Sequence, residues 1–347
     1  MADRQATQVC VRPPGWVGRD AAASFAQLVA WAELAEALGL DGVFVGDRML
    51  PQAANRQGMV YGATMVDAGV ALAAIAARTS RIRLGPLVLV LPFRHPLQLA
   101  KLTASLDVAS NGRLILGVGT GWNPPEFRAL GIPREERGAR FEDSLRILRE
   151  LWAGGSSSAE EFWSFDDVTI APLPVQPGGP PVWMASFSPG SALDWEDDVP
   201  PALLPVLNRI GRLADGWVPL IYSASHRRRL DPVVLGAAWR HVLVAAESAG
   251  RTRQDINFVL SDWVYVLEGA GAVRRCEEAL APFFAGDWAD ALRTYNIGTA
   301  EEVEDRLFET ARHIDRVDSY VLTPLSGEPD QLQALADAVA PRLRARI

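Results

Sequence analysis

The sequence predicts one α/β domain over residues 1–347, a closed (β/α)8 TIM barrel with two loop insertions. Short apolar segments alternate along the chain with helical patterns. The apolar segments are continuously hydrophobic and do not alternate apolar with polar residues, which is typical of parallel strands covered by helices. An open doubly wound sheet is the alternative. Eight strand candidates occur: Thr7–Val11, Gly42–Gly46, Ile82–Leu91, Arg113–Val118, Val182–Ala185, Gly216–Pro219, Phe258–Leu267 and Ser319–Thr323.

Helices are predicted between these strands from apolar side chains at three- and four-residue spacing. The first helix is expected to begin at an N-cap, Ser24, and to end before Gly39, a residue type that commonly follows helices. The next helices are predicted over Tyr61–Ala77, from Pro96 to about Asn111, and over Arg137–Trp152.

Two stretches interrupt the repeat and are predicted to be loop insertions. Residues 154–179 are rich in Gly, Ser and Pro and are expected to contain a short hairpin around Phe162–Ile170. Residues 188–205 carry the acidic run Asp194–Asp198. Neither stretch has enough apolar residues for a core of its own, so a single domain is predicted.

Composition excludes several classes of protein. The formal net charge is −8 and no basic run occurs, which argues against nucleic acid or an anionic membrane as a partner. The two cysteines, Cys10 and Cys276, are expected to be buried core residues. The four histidines show no zinc-binding spacing, so no metal is expected. Without an apolar signal segment or membrane-length run, the expected location is the cytoplasm.

Two titratable residues follow predicted strands and are candidate catalytic groups. The carboxyl-terminal ends of barrel strands form the active-site face, and Asp47 ends the second strand while His95 follows the third. Each has a structural alternative. Asp47 can form a salt bridge with Arg48 or cap a loop, and His95 can cap the helix that starts at Pro96.

Small residues follow the fourth and fifth strands. The glycines of Gly117–Gly121 allow a backbone to approach a ligand closely, and Ser186 and Ser188 can bind phosphate through hydroxyl and N–H groups. A tight turn without a ligand is the alternative at both places. No nucleophile-elbow or P-loop motif occurs, which argues against a hydrolase or an NTPase.

Short motifs follow one another in a specific order: Thr79–Gly85, Leu91–Pro96, Asn111–Arg113, Gly117–Trp122, Arg137–Arg140, Pro172–Gln176 and Leu213–Trp217. This ordered set resembles the bacterial luciferase-like family of flavin- and deazaflavin-dependent oxidoreductases. The resemblance implies a (β/α)8 barrel whose mouth holds the isoalloxazine ring against the third strand. It also implies a non-proline cis peptide near Gly85–Val88 that supports the ring.

The resemblance further implies which residues contact the cofactor and the substrate. The implied cofactor contacts are Asp47, Leu87, Val88, Gly119, Thr120, Ser186, Ser188 and Gly216. The mouth loops also hold aromatic residues that suit a bulky organic substrate, and the predicted contacts are Trp16, Tyr61, Phe93 and Trp122.

The flanking segments resemble the branch that uses coenzyme F420, a deazaflavin. Two departures leave FMN open. Many deazaflavin members have Asp-His where this chain has Asp47-Arg48, and Gly-Gly where it has Ala185-Ser186. The expected reaction is hydride transfer or monooxygenation with reduced F420. An FMNH2-dependent monooxygenase, served by a separate flavin reductase, is the first alternative.

A homodimer is one possible assembly of the chain. Two further alternatives for its function come from other classes of protein. One is a flavin-binding protein without turnover, because fold does not determine function. The other is a barrel aldolase or isomerase that binds phosphate. Such an enzyme needs a lysine at a strand end, whereas the sole lysine, Lys101, lies in the third predicted helix.

Overall fold

The computed structural model describes residues 6–14, 21–51, 62, 65–186, 199–223 and 228–346. It confirms the predicted TIM barrel. Eight parallel strands, named β1 to β8 in chain order, form the barrel, and the third consists of two segments. They are Gln8–Val11, Gly42–Val45, Arg83–Pro86 with Leu89–Val90, Leu116–Gly119, Val182–Ala185, Gly216–Val218, Asn257–Val266 and Ser319–Pro324.

The sheet closes on itself through β3. Parallel pairing runs from β3 through β2, β1, β8, β7, β6 and β5 to β4, and the second segment of β3 pairs with β4 at Leu89 and Val118. A parallel bridge between Leu84 and Leu114 joins the first segment of β3 to the residues just before β4. An added strand, Asn296–Gly298, pairs with the end of β7.

The barrel interior is filled by apolar side chains. The rings of Phe44 and Trp183 stack there at a centroid distance of 5.0 Å. Cys10 lies in the same cluster, and both cysteines are buried free thiols, as predicted. The buried members of the cluster are Cys10, Phe44, Leu87, Ile115, Trp183, Val218, Val259 and Val321.

Helices named α1 to α8 in chain order cover the barrel. They are Ala21–Ala37, Ala68–Arg78, Pro96–Ala109, Arg137–Trp152, Leu204–Leu213, Pro232–Ser248, Ala300–Thr310 and, for α8, the consecutive segments Pro329–Ala334, Leu335–Val339 and Ala340–Ala345. Shorter helices lie at Pro124–Ala129, Ala272–Leu280 and Trp288–Thr294. In the ranges described above, no helix has the length and apolar character needed to cross a membrane.

Two predicted helix starts are wrong. The first helix begins at Ala21, so Ser24 lies inside it and is not its cap, because the alanines at its start favour helical backbone. The second begins at Ala68 and not at Tyr61. Asp67 caps it there, and the Asp67 carboxylate accepts the backbone hydrogen bonds of the first turn. The predicted start at Pro96 and both predicted ends of α4 are confirmed.

The first insertion contains a hairpin that begins earlier in the chain than the predicted range Phe162–Ile170. Ser157–Ala159 pairs antiparallel with Phe165–Val168. The guanidinium of Arg140 in α4 lies 4.8 Å from the ring centroid of Phe162, which fixes the hairpin against the barrel helices. Of the second insertion, residues 188–198 lie outside the described ranges, and residues 201–203 form a short 3-10 turn before α5.

Candidate active site

The carboxyl-terminal strand ends form one rim, and residues selected from the sequence lie along it. Asp47 follows β2, Phe93 follows β3, Trp122 follows β4 and Ser186 follows β5. Trp217 belongs to β6, and its Nε1 donates to the backbone oxygen of Ser186 at 3.2 Å. Asp47, Phe93, Trp122 and Ser186 therefore follow the carboxyl-terminal ends of four neighbouring strands, whereas the buried ring of Trp217 packs against Trp239 and Phe258.

A non-proline cis peptide joins Leu87 to Val88, between the two segments of β3. This bond falls inside the range that the family resemblance implied. Leu87 belongs to the apolar cluster of the interior, and Val88 and Ala185 pack against that cluster. These side chains form an apolar floor below the rim.

A narrow pocket lies between the ends of β4 and β5 and the helices α4 and α5. Gly119, Thr120, Ala185 and Ser186 line it together with Arg209. A Cβ atom at Gly119 would lie 3.1 Å from Cγ2 of Val88, so a larger residue there would crowd the cis peptide segment. The structure therefore brings three predicted cofactor residues, Gly119, Thr120 and Ser186, together beside the positively charged side chain of Arg209.

Arg209 is a residue that the sequence analysis missed. It lies on α5, and its Nε is 2.7 Å from Oε1 of Glu142. Gly138 lets the guanidinium approach α4, because a Cβ atom at that position would lie 3.0 Å from Nη2 of Arg209. Burial, together with the like charges of Arg134 and Arg209, lowers the pKa of Arg137, which is not part of the pocket lining.

Asp47 forms an ion pair with Arg94. Nη2 of Arg94 lies 2.8 Å from Oδ2 of Asp47, and it also lies 3.4 Å from Oδ2 of Asp67. Burial raises the pKa of Asp47, while the charge of Arg94 opposes the rise. The suggested salt bridge to Arg48 is wrong, because the Arg48 guanidinium lies instead 5.5 Å from the ring centroid of Trp122.

His95 is the N-cap of α3. Its Nδ1 accepts a hydrogen bond from the backbone N–H of Leu97 at 3.3 Å. Its ring also packs near Trp163 and Phe165 of the first insertion, at centroid distances of 6.2 and 6.0 Å. Burial lowers the pKa of His95. This geometry favours the capping alternative over a catalytic role.

Gly216 does not lie at the pocket. It starts β6 in register with Trp183, whereas the pocket begins at the end of β5. A Cβ atom at Gly216 would lie 2.5 Å from Cδ1 of Trp183, so this glycine makes room for an interior ring. The structure therefore places Gly216 apart from Gly119, Thr120 and Ser186, the other implied cofactor residues of this region.

Two of the predicted substrate contacts can be placed. The ring of Phe93 packs edge-on against Phe127 at a centroid distance of 4.8 Å, and Trp122 is 59% exposed on the rim. Buried Glu126 ties this region to the loop after β2, because it accepts the backbone N–H groups of Met49 and Leu50 at 3.0 and 3.1 Å. Trp16, Tyr61 and Ser188 lie outside the described ranges.

Metal-binding clusters are not a feature of the chain that the structure describes. No group of three or more His, Cys, Asp or Glu side chains in the described ranges is arranged to hold a metal ion. The rim combines the narrow pocket lined by Arg209, an apolar floor and one buried ion pair.

Known proteins resemble this arrangement of strands and motifs. The family model of the luciferase-like monooxygenases matches residues 7–194, more than half of the chain. The chain belongs to this luciferase-like family. Its fold and the order of its motifs are therefore family features.

Individual relatives of this luciferase-like protein use different cofactors. The oxygenase component of flavin-dependent trigonelline monooxygenase from Acinetobacter baylyi is 36% identical over 122 residues, which cover 35% of this chain and 34% of that protein. The F420-dependent glucose-6-phosphate dehydrogenase of Beutenbergia cavernae is 29% identical over 347 residues, covering 92% of this chain and 94% of that protein. Monooxygenase RslO1 from Streptomyces bottropensis has a similar structure, with a TM-score of 0.78 at 25% identity and coverage of 96% and 99%.

Proposed function

We propose that this luciferase-like protein is an oxidoreductase that binds reduced coenzyme F420 at the rim and acts on a bulky organic substrate. The observation that carries the proposal is the narrow pocket of Gly119, Thr120, Ser186 and Arg209, which adjoins the apolar floor at Leu87 and Val88. A planar ring with a phosphate on its side chain suits this pair of features.

The pocket supplies the donors that a phosphate needs. Hydroxyl and backbone N–H groups are available at Thr120 and Ser186, and Arg209 adds a guanidinium. Arg209 brings a positive charge to the pocket, and its Nε is held by Oε1 of Glu142. Gly119 leaves space where a larger side chain would contact Val88.

The floor and two aromatic residues of the rim are proposed to bind the other parts of the ligands. Leu87, Val88 and Ala185 present an apolar surface to a flat ring and exclude water beneath it. Phe93 and Trp122 lie on the rim and are proposed to contact the substrate. The cofactor supplies the hydride chemistry, for which no protein side chain substitutes.

Asp47 is the proposed acid–base residue. Burial raises the pKa of its carboxyl group, which favours a proton on Oδ1 or Oδ2 relative to an exposed aspartate. Arg94 holds this carboxylate in place at the end of β2. His95 has no role in this proposal, because its Nδ1 is engaged at the start of α3.

FMN-dependent monooxygenation is the second candidate, and one observation favours it. Ala185 and Ser186 line the pocket where many deazaflavin members have two glycines, and Arg209 adds a guanidinium, so a compact terminal phosphate is also suited to the pocket. The resemblance to the monooxygenase RslO1 supports this alternative. A flavin reductase would then act as a separate partner.

Titration of the apo-protein with F420 and with FMN, followed by quenching of cofactor fluorescence, tests the proposal. We expect F420 to bind, and its phosphate-free precursor to bind at least about tenfold more weakly, which corresponds to ~1.4 kcal/mol. Consumption of the reduced cofactor with a panel of oxidants then separates an enzyme from a binding protein. Tight binding of FMN alone would favour the second candidate, and binding of neither would contradict both.

A further inference from the structure

Arg12 directly follows β1, and its side chain is turned into the mouth of the barrel. The backbone N–H of Arg12 donates to the carbonyl oxygen of Leu322 at 3.0 Å, so the pairing of β1 with β8 continues to this residue. Side chains alternate between the two faces of a strand. Cys10 belongs to the interior cluster, and Val11 packs in the cluster that joins the strands to the helices. Arg12 therefore faces the interior again, nearer the rim than Cys10.

The same alternation brings Trp263 of β7 to the side of Arg12. Val259 belongs to the interior cluster, and Trp263 lies nearer the rim on the same face of β7. Because β8 lies between β1 and β7, the two side chains are near neighbours. The guanidinium carbon of Arg12 is 5.9 Å from the centroid of the Trp263 ring, a distance at which the ring attracts the cation. This contact holds a positive charge on one side of the mouth.

Small and apolar residues form the opposite side of the mouth. In the order of strand pairing, β7 lies opposite β3 and β1 lies opposite β5. Trp263 is therefore across from Val88, and Arg12 is across from Ala185, both of which belong to the apolar floor. Leu220 follows β6 and is 49% exposed, so it offers a further apolar contact at the rim. A molecule in the mouth thus meets a cation on one side and apolar surface on the others.

Two acidic residues near this side of the mouth have arginine partners of their own. Asp262 precedes Trp263, so it points to the outer face of β7, where it pairs with Arg229. Asp47 pairs with Arg94 at 2.8 Å. The planar guanidinium of an arginine can donate two parallel hydrogen bonds to one carboxylate. The charge that Arg12 brings to the mouth therefore suits an organic anion.

We propose that Arg12 binds the carboxylate of a flat aromatic acid, with Trp263 holding the guanidinium in place and Leu220 contacting the ring of the acid. The charge of the ligand is complementary to the charge at this side of the mouth, and its ring suits the apolar surface around it. That this acid is the substrate of the oxidoreductase rests on the proposed function. Its binding requires no cofactor.

Benzoate and benzamide test the role of the charge. They have the same ring and nearly the same shape, and only benzoate is charged at pH 7.5. We expect benzoate to bind the cofactor-free protein at least about tenfold more tightly than benzamide in ligand-observed NMR titrations. The net charge of −8 disfavours an anion at long range, so such a preference requires a local cation.

Variants assign the preference to Arg12. Arg12→Met keeps a long apolar side chain and removes the charge, so the two probes are expected to bind equally. Arg12→Lys keeps a charge without the forked donors and should keep a smaller preference, which decides the test if Arg12→Met does not fold. The matched control is Arg346→Met. Arg346 also lies against an aromatic ring, 4.7 Å from the centroid of Phe308, but it follows α8, and this variant should bind like the parent.

Three results would overturn the proposal. One is equal affinity of the parent for benzoate and benzamide. Another is a full preference for benzoate in both Arg12 variants. The third is a preference that is lost in Arg209→Met and retained in Arg12→Met, because the anion would then bind in the narrow pocket. No readout involves a flavin, so a failure of F420 and FMN to bind would contradict the proposed function and leave this measurement intact.

Discussion

Arg94 holds the carboxylate of Asp47 across the ends of β2 and β3. Its Nη2 lies 2.8 Å from Oδ2 and 3.0 Å from Oδ1, and the Asp47 side chain is only 6% exposed. Burial still raises the pKa of Asp47, so the arginine compensates the buried charge only in part. The stability of this part of the rim therefore depends on the pair and not on either residue alone.

Arg94→Met is expected to destabilise the protein by about 3–5 kcal/mol at pH 7.5, because it leaves a buried carboxylate without its cation. The folded-state pKa of Asp47 is above the unfolded value, so the penalty is absent at low pH and grows as pH rises through that raised pKa. Urea unfolding at pH 7.5 and pH 4.5 measures the effect. The double variant Asp47→Asn/Arg94→Met should recover much of the loss, and equal losses at both pH values would contradict the argument.

Ser186→Val and Arg209→Met are each expected to weaken cofactor binding about tenfold or more, because a hydrogen bond to a charged group contributes roughly 1.5–3 kcal/mol. The matched control is Arg212→Met, because Arg212 also pairs with Glu142, at 2.9 Å, but does not line the pocket. Fluorescence titration provides the measurement. If all three variants bound F420 and FMN like the parent, the phosphate would have to lie elsewhere.

Gly216→Ala and Gly119→Ala are expected to have opposite effects. A Cβ atom at Gly216 would lie 2.5 Å from Cδ1 of Trp183, so we expect a loss of about 1–3 kcal/mol of stability and normal cofactor affinity. At Gly119 the nearest atom is Cγ2 of Val88 at 3.1 Å, so stability should change less and cofactor affinity should fall. Thermal unfolding and titration of both variants separate the two roles. The reverse pattern would restore Gly216 to the cofactor site.

His95→Asn is expected to make the free energy of unfolding depend less on pH. The neutral ring accepts the Leu97 N–H, and burial lowers the pKa of His95 in the folded state. Its contribution is therefore present above the unfolded value of 6.5 and is lost as pH falls through the lower folded pKa. Asparagine caps helices without titrating. The difference in Tm between parent and variant should change between pH 8 and pH 5, and a constant difference would argue against this role.

The strands could be predicted from the sequence because both of their faces are buried, which produces continuous apolar runs such as Val182–Ala185. Helix starts were harder to predict. The alanines at Ala21–Ala23 extend the helix past Ser24, and the cap at Asp67 sets the start of α2. The position of a helix start depends on competition between neighbouring helix-forming and capping residues, and the spacing of apolar residues does not reveal it.

The residues of the candidate site that follow strand ends were predicted from the sequence. The residue that reaches the site from a distant helix was missed. Gly119, Thr120 and Ser186 lie at strand ends and were predicted to be neighbours. Arg209 reaches the same pocket from a helix, and no spacing rule relates it to the glycines. Gly216 has the residue type expected for a phosphate site, but it lies at the opening of its strand, where Trp183 needs the space.

The stacked rings of Phe44 and Trp183 have a consequence for the order of events at the rim. With Val259 and Val321, they fill the barrel axis, so the described residues offer no passage through its centre. Every molecule that reaches the floor at Leu87 and Val88 must enter and leave on the same side. Whatever binds deepest therefore arrives first and departs last, because two aromatic side chains in the same cluster as Leu87 close the barrel axis.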